Sequence, residues 1–381
     1  MKANEIGRQS ALGNSSTRFP RLVYGSLLLL LYATAASQAV ASFAYKWTTI
    51  VAHPEYSLEK ILNGAWPKPY AFRLLMRNVV EWTANKMPDV LAIPLIERSR
   101  QALDATQGAS YAVQMSDHLA LAYAIILLGA FVFLLISLFL LRRISRIVFP
   151  VTMVSRVVLD AAPIVFALLL TISYRANNGY IYDHFELFIL LLYLLLVLTR
   201  QQVLTLPVLA LAILNKETAV FFPLFGAVVR WGLERRLRSA DYRAAAREFA
   251  VVLIGFVAIR IILKDHPGGA TEFHFFTNID FWFSLKPWLA VTAPHFGLLP
   301  LPKPTNVVVL GTLLMAIFGY WREKPDCVRW PLLVTAGINL PLFILFCWQD
   351  EYRNLSLTFP FLYLAAVHTW IRYFSDERNL R

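Results

Sequence analysis

Charge is scarce in this 381-residue chain, with Asp, Glu, Lys and Arg at 16% against 58% hydrophobic residues. No soluble core of this length needs so much apolar sequence, and with a mean hydropathy of +0.55 the composition defines a polytopic membrane protein. Acidic residues are scarcer than basic ones, 24 against 36, which leaves a formal net charge of +12. That excess does not speak for nucleic acid, because Lys and Arg gather in short segments between apolar runs, where the positive-inside rule already accounts for them. Cysteine is nearly missing. Cys327 and Cys347 are the only two, and a helix between them, rising about 1.5 Å per residue, would hold them near opposite membrane faces, unable to pair. The seven His are scattered and no Cys/His spacing of zinc type occurs, which argues against a structural metal. A hard divalent cation held by carboxylates stays open. The sequence also lacks internal repeats and low-complexity tracts.

What is present is a series of apolar stretches with aromatic ends. Residues 1–21 carry Lys2, Arg8, Arg18 and Arg21 and read as a cytoplasmic tail before a first span, Leu22–Ala44. Ala39-Val40-Ala41 resembles a signal-peptidase site, but the apolar region exceeds the roughly 7 to 15 residues of a signal core, so a retained helix is expected. Further spans are predicted at about 119–141, 157–173, 185–198, 249–263, 305–321, 330–348 and 355–371. Trp47, Trp82, Trp231, Trp321, Trp330, Trp348 and Trp370 fall near their ends, as interfacial anchors do. Arg156 and Asp160, four apart, are expected to pair.

The chain is organised around residues 203–230. Two apolar runs are split there by Asn215-Lys216-Glu217-Thr218, and neither reaches the roughly 20 residues of a membrane-crossing helix. One helix carrying Lys216 and Glu217 at its centre would be costly in hydrocarbon, so two short helices in a protein-covered or re-entrant hairpin are expected, with the tip facing water or a cavity. Arg200 precedes this hairpin and Arg230, Arg235, Arg236 and Arg238 follow it, which sets both its ends on the cytoplasmic side and the tip toward the other. Counting the hairpin as two helices gives about ten, forming one transmembrane domain over residues 1–381 in a plasma (inner) membrane with both termini cytoplasmic. The bland alternative for Lys216 and Glu217 is an ion pair that only holds helices together.

Two loops on the far side are long. Residues 45–117 should hold their own helices, the first placing Phe72, Leu75, Met76, Val79 and Val80 on one face and Arg73, Arg77 and Glu81 on another, as in a helix lying on the membrane surface. A second is predicted over about 90–105. Residues 264–304 form the other loop, and Arg260, late in the preceding span, can snorkel toward that interface. By this topology four groups converge on one face: the first long loop, the Tyr182-Asp183-His184 turn, the Lys216-Glu217 tip and the Glu351-Tyr352-Arg353 turn. Together they outline a cavity for an amphiphile with an anionic head and a lipid tail.

The layout, together with Pro69-Tyr70-Ala71-Phe72-Arg73-Leu74-Leu75, Tyr182-Asp183, Asn215-Lys216-Glu217-Thr218 and Glu351-Tyr352-Arg353-Asn354, resembles the GT-C superfamily of integral membrane glycosyltransferases. The resemblance implies an all-α, GT-C-like bundle and transfer of a sugar from a polyprenyl-phosphate-linked donor to an envelope glycan, lipid or protein acceptor. It also implies an acidic residue in the first outer loop, to be sought at Glu55, then Glu59. The sequence after the first span, Phe43-Ala44-Tyr45-Lys46-Trp47, departs from the usual Asp there. In such a reaction a carboxylate would deprotonate the acceptor, and Arg73, Lys216 and Arg353 would contact phosphate. Tyr182, Asp183, Glu217 and Glu351 complete the expected substrate site. Two other classes compete: a transporter or flippase of an amphiphilic envelope precursor, and a non-catalytic membrane subunit of an envelope-assembly complex.

Overall fold

The computed structural model of the protein describes residues 18–51, 57–107, 115–176, 180–268, 273–291, 302–303, 305–349 and 351–379. These residues are all-helical, apart from an isolated bridge between Val291 and Pro302. The helices are α1 (Arg18–Val51), α2 (Leu58–Leu62), α3 (Leu74–Lys86), α4 (Asp89–Gln107), α5 (Asp117–Val148), α6 (Met153–Ala176) and α7 (Asp183–Leu198). They continue as α8 (Gln202–Asn215), α9 (Phe222–Glu234), α10 (Ser239–Ile262), α11 (Phe275–Phe283), α12 (Val307–Phe318), α13 (Asp326–Phe346) and α14 (Phe359–Asn379).

Local chemistry sets many of these limits. Ser57 and Ser116 cap α2 and α5 by accepting the Lys60 and Leu119 amides, and Asn306 does the same for α12 through Val308. α5 stops at Phe149, whose extended backbone suits the residue before Pro150. Pro223 sits in the first turn of α9, where its missing N–H costs nothing.

Among the described residues three helical stretches are long and apolar enough to cross a membrane: Leu22–Ala44 in α1, Asp117–Val148 and Asp326–Phe346. The predicted span at 305–321 contracts to the 12 residues of α12, while α1 runs on to Val51 instead of ending near Ala44. Large apolar side chains stay exposed along α1 and α10, among them Leu30, Ile254 and Ile262. Surfaces of that kind require lipid or protein cover, which agrees with a membrane protein.

The core forms around α7. Nearly every residue from Asp183 to Val197 is buried, as expected of a helix apolar on all sides. α5, α8 and α9 pack on it, α1 and α6 pair beside α5, α10 covers α8 and α9, and α13 and α14 close the far side.

The 203–230 segment breaks where expected. α8 ends at Asn215, Lys216 is extended (φ −159°, ψ 138°), and a 3-10 turn over Glu217–Phe221 leads into α9. The arms differ from a closed hairpin, however. α8 packs chiefly on α7 and α10, and α9 chiefly on α13, because each has a fuller apolar partner than the other arm. The local Arg156–Asp160 pairing is replaced by a tertiary one. Asp160 accepts Arg142 Nε and Arg146 Nη2, both at 2.6 Å, and the Tyr24 hydroxyl at 2.5 Å, while Arg156 lies over the Tyr24 ring at 5.9 Å. α5 extends past its predicted end to Val148, and this brings two arginines alongside α6. Cys327 and Cys347 are free thiols at opposite ends of α13.

In the first long loop, α3 begins two residues later than its apolar pattern suggests. Phe72 lies in a 3-10 turn over Tyr70–Phe72, and Met76, Val80 and Ala84 form the buried face. α4 spans Asp89–Gln107 and tolerates Pro94 near its start.

Candidate functional site

Seven of the residues singled out from the sequence meet in one connected network. Arg73, which precedes α3, reaches across to the break after α8 and forks onto Glu217: Nη2 to Oε1 is 2.8 Å and Nε to Oε2 is 3.2 Å. Its third edge donates to the Tyr182 hydroxyl, and its guanidinium lies over the Tyr182 and Tyr70 rings at 4.3 and 5.0 Å. Arg353, in the 3-10 turn between α13 and α14, bridges Glu351 Oε1 at 2.8 Å and Asp183 Oδ2 at 3.3 Å and lies 4.1 Å above the Tyr180 ring. Lys216 Nζ contacts Glu186 Oε2 at 2.8 Å and Asp183 Oδ1 at 3.7 Å.

Each position follows from its local backbone. Helix α7 starts at Asp183 itself, with Tyr182 at the cap position, so Asp183 does not cap from outside. Its Oδ2 instead accepts the Tyr180 amide at 2.8 Å and ties the preceding turn. Tyr180 and Tyr182 stack at 5.4 Å, and Trp66 and Tyr70 close on Tyr180 at 5.5 and 5.7 Å. The extended conformation of Lys216 turns its ammonium inward toward α7, and Asn215 Nδ2 donates to the Tyr182 carbonyl at 3.1 Å. Lys216 is therefore inside the protein rather than in water, its side chain 4% exposed.

Glu186 escaped the sequence reading. It is buried on the first turn of α7 and accepts Lys216, Thr218 Oγ1 at 2.7 Å and Ser356 Oγ at 2.8 Å, which joins three distant segments. The available signal was an acid three residues after Asp183, on the same face of an otherwise apolar helix. Glu59, by contrast, is exposed on α2 and makes no ion pair with any described residue. Glu55 lies outside the described residues.

The charge balance is informative. Three cations, Arg73, Lys216 and Arg353, face four carboxylates, Asp183, Glu186, Glu217 and Glu351. Asp183 and Glu186 are 2% exposed, whereas Glu217 and Glu351 retain 25% and 13%. The network thus has a sealed interior and an accessible rim. Burial alone would lower Arg73 and Arg353. The Glu217 carboxylate beside Arg73, and Glu351 and Asp183 beside Arg353, overcome it and hold both guanidiniums charged. Asp183 Oδ1, Asn215 Oδ1 and Arg353 Nε make no hydrogen bond with any described residue. Among the described residues no group of three or more His, Cys, Asp or Glu side chains is placed to hold a metal ion.

An apolar groove begins nearby. It runs between α6, α12 and α14, is walled by Phe166, Leu170, Leu313, Phe359 and Tyr363 among others, and encloses about 1290 Å³ counting its open side. Phe359 is three residues from Ser356, hence about one turn from the Glu186 contact. Comparison with protein families, with curated proteins and with solved structures finds no match to this chain.

Proposed function

We propose that the protein is a membrane glycosyltransferase of the GT-C type, taking a sugar from a polyprenyl-phosphate-linked donor and transferring it to an envelope acceptor at the outer face of the membrane. The observation that carries this reading is the gathering of Arg73, Tyr182, Asp183, Lys216, Glu217, Glu351 and Arg353, from four separate stretches of sequence, into one network with an accessible acidic rim. Purely structural ion pairs need no such rim. Beside it, the groove starting at Phe359 suits a long hydrocarbon chain.

The rim divides the chemistry. Glu217 and Glu351 are the carboxylates of the network that are not sealed, and either would take the proton of an acceptor hydroxyl as its oxygen attacks the anomeric carbon. Arg73 and Arg353 are the cations bonded to those same carboxylates. On donor binding each would exchange part of its carboxylate contact for phosphate oxygen and stabilise the departing lipid phosphate. Lys216, sealed against Asp183 and Glu186, holds the framework in place.

A second reading draws on that sealed interior. Glu186 has its oxygens taken by Lys216, Thr218 and Ser356, as a fixed structural strut would, and this favours a non-catalytic assembly subunit. Transfer of labelled sugar from a synthetic polyprenyl phosphate donor by the purified chain in lipid separates the two. On the transferase reading, Glu217→Gln or Glu351→Gln lowers turnover by about a hundredfold or more while helix content stays unchanged. Absence of any transfer across a panel of donors, with a folded protein that co-purifies with an envelope complex, would establish the strut.

A further inference from the structure

Arg260 stands apart from the cations of the network. It lies in the last turn of α10, is exposed, and makes no ion pair and no side-chain hydrogen bond with any described residue. Its guanidinium rests against two rings, 4.4 Å from the Phe256 centroid one turn earlier and 5.3 Å from that of Phe72. Ring contact occupies the face of a guanidinium and leaves its in-plane N–H fork free, the edge that matches two oxygens of a phosphate. Arg260 shares a cleft with Phe72, Ile213, Glu217, Phe256 and Ile259. Both Glu217 oxygens already face Arg73, so that carboxylate does not neutralise Arg260.

Two more cations adjoin this position. Lys264 follows Arg260 by four residues, and its carbonyl accepts Lys68 Nζ at 2.6 Å, which brings both ammonium-bearing residues to the same end of α10. Asp265 sits 4.0 Å from Lys264 Nζ with 88% of its side chain exposed, and a contact of that kind neutralises little. Leading up to Arg260 along α10 are the exposed apolar residues Leu253, Ile254 and Val257, with Ile261 beside it. A basic rim over an apolar stripe has the polarity of a phospholipid seen end-on.

We infer that Arg260, held by Phe72 and Phe256, is a lipid-phosphate site, in which an anionic phospholipid places its headgroup phosphate on the guanidinium fork and its chains along α10. The inference rests on the chain being a membrane protein and not on the transferase reading. Because Phe72 adjoins Arg73, an occupied site would brace the turn that carries the network's outermost arginine.

Native mass spectrometry tests this on the full chain released from phosphatidylcholine nanodiscs doped with phosphatidylglycerol. The wild type should retain phosphatidylglycerol in preference to phosphatidylcholine. Arg260→Gln should lower that retention about tenfold, and Arg260→Lys, which keeps charge but not the fork, by less. Arg372→Gln, at an arginine already paired with Glu323, should leave it unchanged. Because the Arg260 side chain is exposed and makes ring contacts only, its variants should melt with the wild type, and the melting midpoint checks that. Equal retention by wild type and Arg260→Gln would overturn the site. Displacement of the lipid by inorganic phosphate alone would show a free-anion site and overturn the lipid assignment.

Discussion

Two buried ionic clusters lie at opposite ends of α7 and α8, and they are wired differently. At one end Glu248 accepts Arg230 Nη2 at 2.5 Å and Thr205 Oγ1 at 2.8 Å on one oxygen, and Arg230 Nη1 at 3.0 Å and the Tyr193 hydroxyl at 2.9 Å on the other. Both ionic partners are essentially unexposed. At the other end, some ten residues along each helix and hence roughly 15 Å away, Asp183 leaves Oδ1 without a hydrogen bond while four carboxylates share three cations. The first cluster has one arrangement and no access. The second has an excess of acceptors, a partly exposed rim and several ways to redistribute its contacts. Each cluster leaves a buried polar atom without a hydrogen bond to any described residue, Arg230 Nε in the first and Asp183 Oδ1 in the second, so it is the exposed edge that separates a site a ligand can enter from a fastening between helices.

Breaking the fastening should cost most. Arg230→Ala leaves Glu248 charged and dry and should destabilise the protein by about 3–5 kcal/mol, read as a loss of folded protein in detergent melting, with the Arg230→Met/Glu248→Leu pair recovering much of it. Lys216→Ala strands Glu186 in the same way. Arg353 and the Thr218 and Ser356 hydroxyls remain in the network, so the loss should fall at the lower edge of that range, about 3 kcal/mol. A larger loss for Lys216 than for Arg230 would reverse the comparison.

Gly226→Ala comes next. A Cβ there would collide with the Tyr193 hydroxyl, and that ring is fully buried against Phe222, so it has no room to retreat. About 1–3 kcal/mol of overpacking is expected in the melt, along with a weakened Tyr193–Glu248 contact. Arg73→Ala, at the rim, should cost only about 1 kcal/mol in stability because Glu217 can turn to solvent. On the transferase reading it should nevertheless abolish most sugar transfer, and equal losses of stability and activity would sink its assignment to the site.

Lys324, between α12 and α13, carries a pH effect. Burial pushes its ammonium down to about 8, and Nζ donates to the Ala365 carbonyl at 2.7 Å and Thr369 Oγ1 at 2.8 Å. An unfolded lysine titrates near 10.4. Between those values the unfolded chain binds more protons than the folded one, so stability should rise as pH increases from about 8 toward 10.4 and then level off. Lys324→Met should flatten that rise in a pH series of melting curves.

Much of the outline was legible in advance. An apolar run interrupted by Asn215-Lys216-Glu217 has few affordable conformations in a membrane, so the break appeared where the charges are. The surface-helix pattern likewise located α3 to within a few residues. The gathering of Arg73, Tyr182, Asp183, Lys216, Glu217, Glu351 and Arg353 was also within reach, since alternation of spans puts their segments on one side. Glu186 and Glu248 were not, because each reads as an acid at the start of an apolar helix, with nothing local to show a partner. Sequence spacing points Asp160 to Arg156, because spacing along one helix is the only proximity that sequence displays, whereas its actual partners, Arg142 and Arg146, belong to the preceding helix.

The amino-acid order by itself determined that this chain is helical, apolar enough to enter a membrane, and broken at Lys216. Helix length, hydropathy and the cost of a charge in hydrocarbon act within a few turns of chain and leave their record in the residues. Only the packed structure decided which carboxylate takes which cation, which of them are sealed and which reach the rim. Those outcomes depend on distances between side chains more than a hundred residues apart, such as Arg73 to Glu217 or Asp183 to Arg353, and such distances exist only once the helices have docked.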